Sequence, residues 1–277
     1  MNIDKDIRDE LIELMKKSIN HYNSFKHYKW VVKPAIPILF FGNVIEYLNS
    51  DIKMITVALN PSDKEFPKDG TRFSFCPDKL NKGDAIKVLD TLNEYFKFNP
   101  YDDWFDRFTE KIMNKMNVSY YSNKGFTNRA LNTDLCTPIA TNPTWDGLVN
   151  NKKTRIPNDL SDELKKQGFK IWLELIKILK PNVILISLAK DYLTSNNFVE
   201  KTILKINENI ETTFSYDDVQ NKDVKDLGRK NITYFTHNKI PDCKIYLGVN
   251  NGGTPFRNIS YSETDLVSDL ITKHMKE

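Results

Sequence analysis

The sequence predicts an α/β fold: a single three-layer α/β/α domain with a mainly parallel central sheet. Short apolar runs rich in β-branched residues recur along the chain, and such runs are typical of strands buried on both faces of a sheet. Longer segments with apolar residues at helical spacing separate them. Strands that alternate with helices indicate a parallel sheet covered on both faces. No internal repeat or linker divides the 277 residues, so one domain is expected to cover residues 1–277.

The first half of the chain begins with a long helix. Apolar residues recur at helical spacing over about residues 4–25, and Asp4 is placed to cap the first turn. The other elements predicted in this half are a short apolar run Ile38–Phe41, a short helix to Leu48, a strand Met54–Leu59, helices Asp84–Phe96 and Asp103–Met116, and a strand Ala130–Cys136.

The second half opens with a loop that contains Trp145 and two prolines. A long helix follows, with Ser161 as its predicted cap and Pro181 as its end. The segment over about residues 201–230 is charged and poorly patterned, and it is expected to be an insertion. The remaining predicted elements are strands Val183–Leu188, Ile232–Thr236 and Ile245–Val249, and a closing helix Glu263–Met275.

Composition narrows the functional classes only a little. The chain has 40 basic against 37 acidic residues and a net charge of +3. This balance neither requires nor excludes a nucleic-acid partner, because a local basic stripe is sufficient for binding. The sequence contains no run of about 18 apolar residues, so no membrane span is expected. The first residues are charged where a signal peptide would be apolar, so a soluble, cytoplasmic protein is expected.

Several common catalytic and binding motifs are missing from the sequence. It contains no Gly-x-Ser-x-Gly nucleophile elbow, no Walker loop and no Rossmann glycine fingerprint. Its His, Asp and Glu residues show no metal-ligand spacing, so no metal site is expected. The three cysteines lie far apart with no Cys-x-x-Cys pair, which argues against a zinc ribbon or a disulfide framework. His237, just after a predicted strand, is the histidine best placed for a catalytic role, although a lone histidine is more often structural.

One strand ends at an Asn-Pro turn that is followed by a polar loop and an aromatic cluster. Asn60 and Pro61 form the turn, and Gly70-Thr-Arg-Phe-Ser-Phe75 follows the loop. Ligands of α/β sheets bind beyond the carboxyl ends of the strands. An amide at this place is suited to position a water, and a ring on the returning loop to stack on a flat ligand. The alternative interpretation is an ordinary turn with two phenylalanines in the core.

This segment resembles the first active-site motif of the uracil-DNA glycosylase superfamily, in which Asp-Pro or Asn-Pro ends a strand and Gly-x-x-Phe-Ser follows. The resemblance implies that Asn60 positions the attacking water, that Pro61 is the turn proline and that Phe73 stacks on the extruded base. Ser62 falls where strict uracil enzymes carry a tyrosine that blocks a 5-substituent. The pocket is therefore expected to accept a 5-substituted pyrimidine, unless a nearby phenylalanine closes it. Some members hold an iron–sulfur cluster on four cysteines, which three cannot supply, so no cofactor is expected.

A second constellation lies on the strand Ala130–Cys136. Strand periodicity places Asn132 and Asp134 on one face. An amide offers both a donor and an acceptor to the edge of a pyrimidine. The superfamily has an asparagine for this purpose on a comparable strand, and Asn132 matches its place. The alternative is that these polar residues bond a neighbouring loop.

The third segment, Ile245–Arg257, is a strand that enters a glycine-rich loop. Asn250 falls near the His or Asn of the superfamily's second motif, although Asn251-Gly-Gly-Thr replaces the compact Pro-Ser. Gly252 and Gly253 allow a backbone to approach a phosphate, and Phe256 is a candidate wedge in the DNA stack. Arg257 and Arg72 are candidate phosphate contacts. The alternative is a flexible hairpin turn.

Together these segments predict a monofunctional DNA glycosylase. Such an enzyme flips a nucleotide out of DNA and breaks its N-glycosidic bond through an oxocarbenium-like state. Asn60, Asn250 and Asp134 are the expected catalytic residues, with uracil or a 5-substituted pyrimidine as the base. An amide cannot accept a proton as a carboxylate does, so Asp134 is the alternative activator of water.

Two other functions stay open at the level of sequence. The chain is either catalytic or a non-catalytic nucleic-acid-binding protein of the same fold, and the unusual third motif favours the latter. A hydrolase of small nucleosides or nucleotides is the other alternative, since the net charge does not demand DNA. For the glycosylase, the expected roles are DNA repair and defence against modified phage DNA, by a monomer that needs no membrane.

Overall fold

A computed structural model describes residues 4–68, 70, 72–106, 109–187, 212–215, 231–237, 240–249 and 261–276. Contacts gather the chain into two compact units. The first contains Met1–Asn49, Val57–Tyr101 and Leu131–Lys180, and the second contains Ser50–Thr56, Asp102–Ala130 and Pro181–Glu277.

The sheet has seven strands in the order β2-β3-β1-β4-β7-β6-β5. The first five strands of this order are paired in parallel, and β6 and β5 extend the sheet by antiparallel pairing. The predicted α/β class with a mainly parallel sheet is therefore confirmed. The strands are β1 Met54–Ala58, β2 Val118–Ser119, β3 Asn128–Asp134, β4 Val183–Ser187, β5 Thr212–Ser215, β6 Asn231–His237 and β7 Ile240–Val249.

Strand β1 lies where the strand order reverses. Its sheet neighbours are β3 on one side and β4 on the other. All five residues of β1 are buried, as expected for a strand covered on both faces. A reversal of this kind opens a crevice beyond the carboxyl ends of the strands, where ligands of α/β proteins bind. The first motif begins at this end of β1.

The first unit carries helices α1 Lys5–Phe25, α2 Val44–Leu48, α3 Ala85–Asn93, α6 Trp145–Val149 and α7 Asn158–Leu179. Helix α1 packs against α3 and α7. The predicted cap of α1 is confirmed, since Asp4 Oδ1 accepts hydrogen bonds from the backbone N–H groups of Asp6 and Ile7 at 2.9 and 3.4 Å. Helix α7 passes close to the chain after β3, where only a glycine fits: a Cβ on Gly168 would clash with the carbonyl group of Cys136.

The second unit carries helices α4 Asp102–Phe105, α5 Thr109–Lys115 and α8 Tyr261–Lys276. Helix α5 packs against α8, and Ser268 Oγ donates to the carbonyl oxygen of Ile112 at 3.0 Å. The Tyr120 hydroxyl is buried and lies 2.6 Å from the hydroxyls of both Thr56 and Thr109. Among the described helices, none is long and apolar enough to cross a membrane.

Two local predictions, the cap of the long helix and the loop around Trp145, were wrong. Helix α7 begins at Asn158, three residues before the expected cap. Ser161 lies inside the helix, and its hydroxyl donates to the carbonyl oxygen of Asn158 at 2.9 Å. Trp145 begins the short helix α6 instead of lying in a loop. Within the expected insertion, residues 212–215 form strand β5, and the rest of that segment lies outside the described residues.

Candidate active site

The segments that follow β1 and β3 stay hydrogen-bonded to each other beyond the strands. The backbone N–H of Leu135 donates to the carbonyl oxygen of Ala58 at 2.9 Å, and that of Cys136 donates to the carbonyl oxygen of Leu59 at 2.8 Å. Further along, the N–H of Thr141 donates to Pro61 at 3.2 Å. The two strand ends therefore hold the first and second constellations side by side within the first unit.

Asn60 is half-buried, and its amide has one fixed orientation. Its Nδ2 donates to the carbonyl oxygen of Pro61 and to Thr141 Oγ1, both at 2.8 Å, with the Ile139 carbonyl at 3.4 Å. Thr141 Oγ1 in turn donates to the Pro143 carbonyl at 2.8 Å. Since the N–H₂ group is occupied, Oδ1 is the atom through which Asn60 can accept a hydrogen bond from a water or ligand.

The loop after Pro61 folds immediately into a 3₁₀ turn, Asp63–Glu65. Ser62 Oγ accepts the backbone N–H of Lys64 at 3.2 Å, which caps this turn. The turn carries Glu65 into the interior, where it is only 5% exposed. Ser62 thus both caps the turn and stays half-buried at the place predicted for the 5-position of the base.

Glu65 is held by Tyr95 from a second 3₁₀ turn, Tyr95–Lys97. The Tyr95 hydroxyl donates to Glu65 Oε2 at 2.5 Å and accepts the backbone N–H of Tyr101 at 2.9 Å. Burial raises the pKa of Glu65 to about 7, against the lowering effects of the Tyr95 hydrogen bond and the Arg72 charge. Burial and the neighbouring Glu65 charge raise the pKa of Tyr95 above its usual range.

Arg72 is fastened to the protein itself. Its guanidinium donates to the carbonyl oxygens of Lys64, Asn99 and Pro100 at 2.9, 3.0 and 3.2 Å, and it lies over the Tyr101 ring. These bonds tie the loop after β1 to the segment after the second 3₁₀ turn. The phosphate contact predicted for Arg72 stays a prediction.

Asp134, the last residue of β3, is a buried carboxyl with an unusual environment. Among the described residues, Oδ2 has no hydrogen-bond partner, and no ion-pair partner approaches the side chain. Burial, followed by the negative charge of Glu65, raises the pKa of Asp134 well above its usual range. Two acids that influence each other in a low-dielectric interior resist ionising together. Burial therefore favours the protonated, uncharged form of Asp134 over its ionised form.

Phe73 lies in an aromatic cluster and is only 4% exposed. Its ring centroid lies 5.2 Å from that of Phe66, 5.3 Å from that of Tyr95 and 6.4 Å from that of Phe41. Phe41 and Asn132 form an antiparallel bridge, with backbone hydrogen bonds of 2.8 and 3.1 Å. The cluster thus connects the returning loop to β3. Stacking of Phe73 on a base stays a prediction, and the half-buried Phe66 is the more accessible ring of that pair.

The structure brings together part of the predicted site. Asn60, Pro61, Ser62, Phe73, Asn132 and Asp134 all belong to the strand ends and loops of the first unit. Five predicted residues, Asn250, Gly252, Gly253, Phe256 and Arg257, lie outside the described residues.

Glu65 and Tyr95 are the site residues that sequence reasoning missed. A glutamate five residues after an Asn-Pro turn looks like an ordinary solvated loop residue. The one available signal was that Ser62 can cap a short turn and so direct Glu65 inward. Tyr95 lay in a segment expected to be helical, and nothing local indicated its partner.

Across the described part of the chain, no group of three or more His, Cys, Asp or Glu residues is arranged to hold a metal ion. The side chains described at the site include an amide, two carboxyls and a phenol, those of Asn60, Asp134, Glu65 and Tyr95.

Comparisons with models of protein families, with curated proteins and with solved structures find no match for this chain. The resemblance to the uracil-DNA glycosylase superfamily thus rests on the sequence motifs and stays a prediction.

Proposed function

We propose that this chain hydrolyses the N-glycosidic bond of a pyrimidine nucleotide flipped out of DNA. One observation carries the proposal: Asn60 lies at the carboxyl end of β1 with its N–H₂ group fixed, which leaves Oδ1 to orient a water. An amide oxygen that is held rigidly can position a nucleophile without losing orientational freedom at each turnover.

In the proposed mechanism, the two buried carboxyls of the same unit, Glu65 and Asp134, supply what an amide lacks. Breaking an N-glycosidic bond requires a proton or strong hydrogen bonds for the departing base, and an acceptor for the proton of the attacking water. Asn60 cannot take up that proton, whereas the Glu65–Asp134 pair contains both an acid and a potential base. We therefore propose that Asn60 orients the water and that the two carboxyls handle the protons, a division of roles that the sequence leaves open.

The substrate class follows from the surroundings of Ser62. The Ser62 side chain is short, and its Oγ already accepts the Lys64 N–H of the turn. Little side-chain volume therefore occupies the place expected for a 5-substituent. We therefore propose that the enzyme accepts 5-substituted pyrimidines in DNA. Repair and defence against modified phage DNA are then both natural roles, and the base that is released decides between them.

The test is base release from oligonucleotides that contain uracil, mismatched thymine or 5-modified cytosines, in single and double strands. Alkaline cleavage reveals the abasic sites. The Asn60→Ala variant is expected to lose about 100-fold or more in single-turnover rate, the magnitude typical of a misplaced reactant. Asn20→Ala, on the exposed face of α1, is the matched control and should retain activity.

Release that survives Asn60→Ala undiminished would contradict the proposed role of Asn60. Tight DNA binding with no release from any substrate would instead favour the non-catalytic binding protein. Hydrolysis of free nucleosides, with no salt-dependent DNA binding, would favour the small-molecule hydrolase.

A further inference from the structure

We propose that Glu65 and Asp134 select a pyrimidine of the cytosine class, and that Asp134 protonates its N3 as the glycosidic bond breaks. This inference rests on the function proposed above and narrows its substrate. It starts from the two buried carboxyls, of which only Asp134 was singled out by the sequence.

The first argument is the hydrogen-bond inventory around the strand ends. Asn60 Oδ1 and Asp134 Oδ2 have no donor among the described residues, and Glu65 adds a second carboxyl beside that of Asp134 to the list of acidic groups. The hydroxyl proton of Tyr95 is already given to Glu65. A ligand that fits this inventory must bring donors of its own. The exocyclic N4 amino group of cytosine is such a donor, and carboxyl groups are its usual partners.

The second argument is the charge of the departing base. A uracil-type base leaves as an anion, which needs nearby donors or positive charge. Here Arg72, whose charge acts on Glu65, already donates to three backbone carbonyls, and two acids lie in the interior. A cytosine-type base that is protonated at N3 leaves as a neutral molecule instead. The charge arrangement therefore favours the protonatable base.

The protons balance over one turnover. Asp134 gives its proton to N3, the C1′–N1 bond breaks, and the bonding electron pair stays on N1 of the neutral base. The water oriented by Asn60 bonds to C1′ and gives a proton to the Glu65 carboxylate. Transfer of that proton from Glu65 to Asp134 restores the starting state. Burial raises the pKa of Asp134, which favours the protonated form that this step uses.

The role of Tyr95 follows from the same scheme. Its hydroxyl bond stabilises the charged form of Glu65 against burial, so that Glu65 rather than Asp134 is the member of the pair that accepts a proton. Tyr95 is thus a positioning residue, because it acts through Glu65.

The experiment compares two oligonucleotides that differ only in the target base, 5-methylcytosine or thymine. Each carries a 2′-fluoroarabinose sugar at the target so that it binds without cleavage. We expect the wild-type protein to bind the cytosine form at least about tenfold more tightly, in line with the discrimination that one well-placed pair provides. Asp134→Asn replaces the acid by an amide of the same size and should remove most of this preference. Asp9→Asn, an exposed acid-to-amide change on α1, is the control and should leave it unchanged.

The wild-type comparison needs no variant, so it decides the matter even where Asp134→Asn fails to fold. Equal affinity for the two bases, or preference for thymine, overturns the inference. Selective binding of the cytosine form without release of that base from a cleavable strand would contradict the proposed hydrolysis and leave the base selection standing. Release of uracil or thymine in preference to cytosine would support hydrolysis and overturn the base selection.

Discussion

At the scale of single residues, Asn60 is constrained by what its nitrogen contacts. Both of its close partners, the Pro61 carbonyl oxygen and Thr141 Oγ1, accept hydrogen bonds from Nδ2, and the Thr141 hydroxyl proton is used on the Pro143 carbonyl. A carboxylate at this position would place an oxygen that only accepts hydrogen bonds against two other acceptors, the Pro61 carbonyl oxygen and Thr141 Oγ1. Members of the resembled superfamily that carry an aspartate at the corresponding place are therefore not a guide to what this loop tolerates.

We expect Asn60→Asp to lower the free energy of unfolding by about 1–3 kcal/mol, because it leaves buried acceptors without donors. The loss should be smaller in acid, where the introduced carboxyl is protonated and regains a donor. Urea unfolding at pH 5 and pH 8 measures both effects, with Asn20→Asp on exposed α1 as the control. A variant as stable as the wild type at both pH values would show that the amide nitrogen does not anchor this turn.

The site residues differ in how far the sequence could reveal them. Asn60 and Asp134 follow directly from strand patterns, because Asn60 comes just after a buried apolar run and Asp134 belongs to the polar face of an alternating strand. Glu65 and Tyr95 could not be found in this way, since their contact joins positions 30 residues apart. It depends on where two 3₁₀ turns come to rest, and this is a property of tertiary packing rather than of local sequence.

At the scale of elements, α7 approaches the chain after β3 closely enough to require a glycine. Gly168 faces the backbone of Cys136 and Thr137 with no room for a Cβ. From the same helix, Trp172 Nε1 donates to Thr133 Oγ1 at 3.0 Å. Helix α7 thus presses on the segment that carries Asp134, so the position of the carboxyl depends on the glycine.

Gly168→Ala should therefore destabilise the protein by about 2 kcal/mol or more, the usual cost of overpacking. Helix propensity alone predicts the opposite, a gain of about 1 kcal/mol. Chemical unfolding distinguishes the two, with Lys170→Ala on the exposed face of α7 expected to change stability by about 0.5 kcal/mol or less. A more stable Gly168→Ala variant would mean that α7 moves aside at little cost.

The elements themselves were largely predictable, and the exceptions have physical reasons. Strands β1, β3, β4, β6 and β7 and helices α1 and α8 coincide with the expected segments within a few residues. The two-residue strand β2 is too short to produce a pattern. The start of α7 was misplaced because Ser161 has the composition of a cap, yet it is buried and bonds back to Asn158 inside the helix. Capping chemistry alone does not distinguish these two uses of a serine.

At the scale of the whole molecule, buried titratable groups couple stability to pH in opposite directions. Burial lowers the pKa of His21 to about 4, although Glu163 opposes this effect, and His21 Nε2 lies 3.2 Å from Thr137 Oγ1. The unfolded chain binds the His21 proton more readily between about pH 4 and 6.5, so this group makes stability rise with pH. The raised pKa of Glu65 has the reverse effect: between about pH 4.5 and 7 the folded state holds more protons, and stability falls as pH rises. The raised pKa values of Asp134 and Glu110 act in the same direction as that of Glu65.

Because these windows overlap, the wild type should show a flattened pH profile between pH 4.5 and 6.5 that substitutions can unmask. Glu65→Gln removes a carboxyl whose ionisation lowers the free energy of unfolding by about 3 kcal/mol. Relative to the wild type, we therefore expect this variant to gain stability on going from pH 5 to pH 8.

His21→Gln should show the opposite change, gaining stability relative to the wild type as pH falls from 6.5 to 4. Urea titrations across this range measure both, with exposed Glu10→Gln as the control. If Glu65→Gln differed from the wild type by the same amount at pH 5 and pH 8, Glu65 would carry no buried proton. Without a raised pKa, Glu65 would then be a weaker base for the proton of the attacking water than the proposed scheme requires.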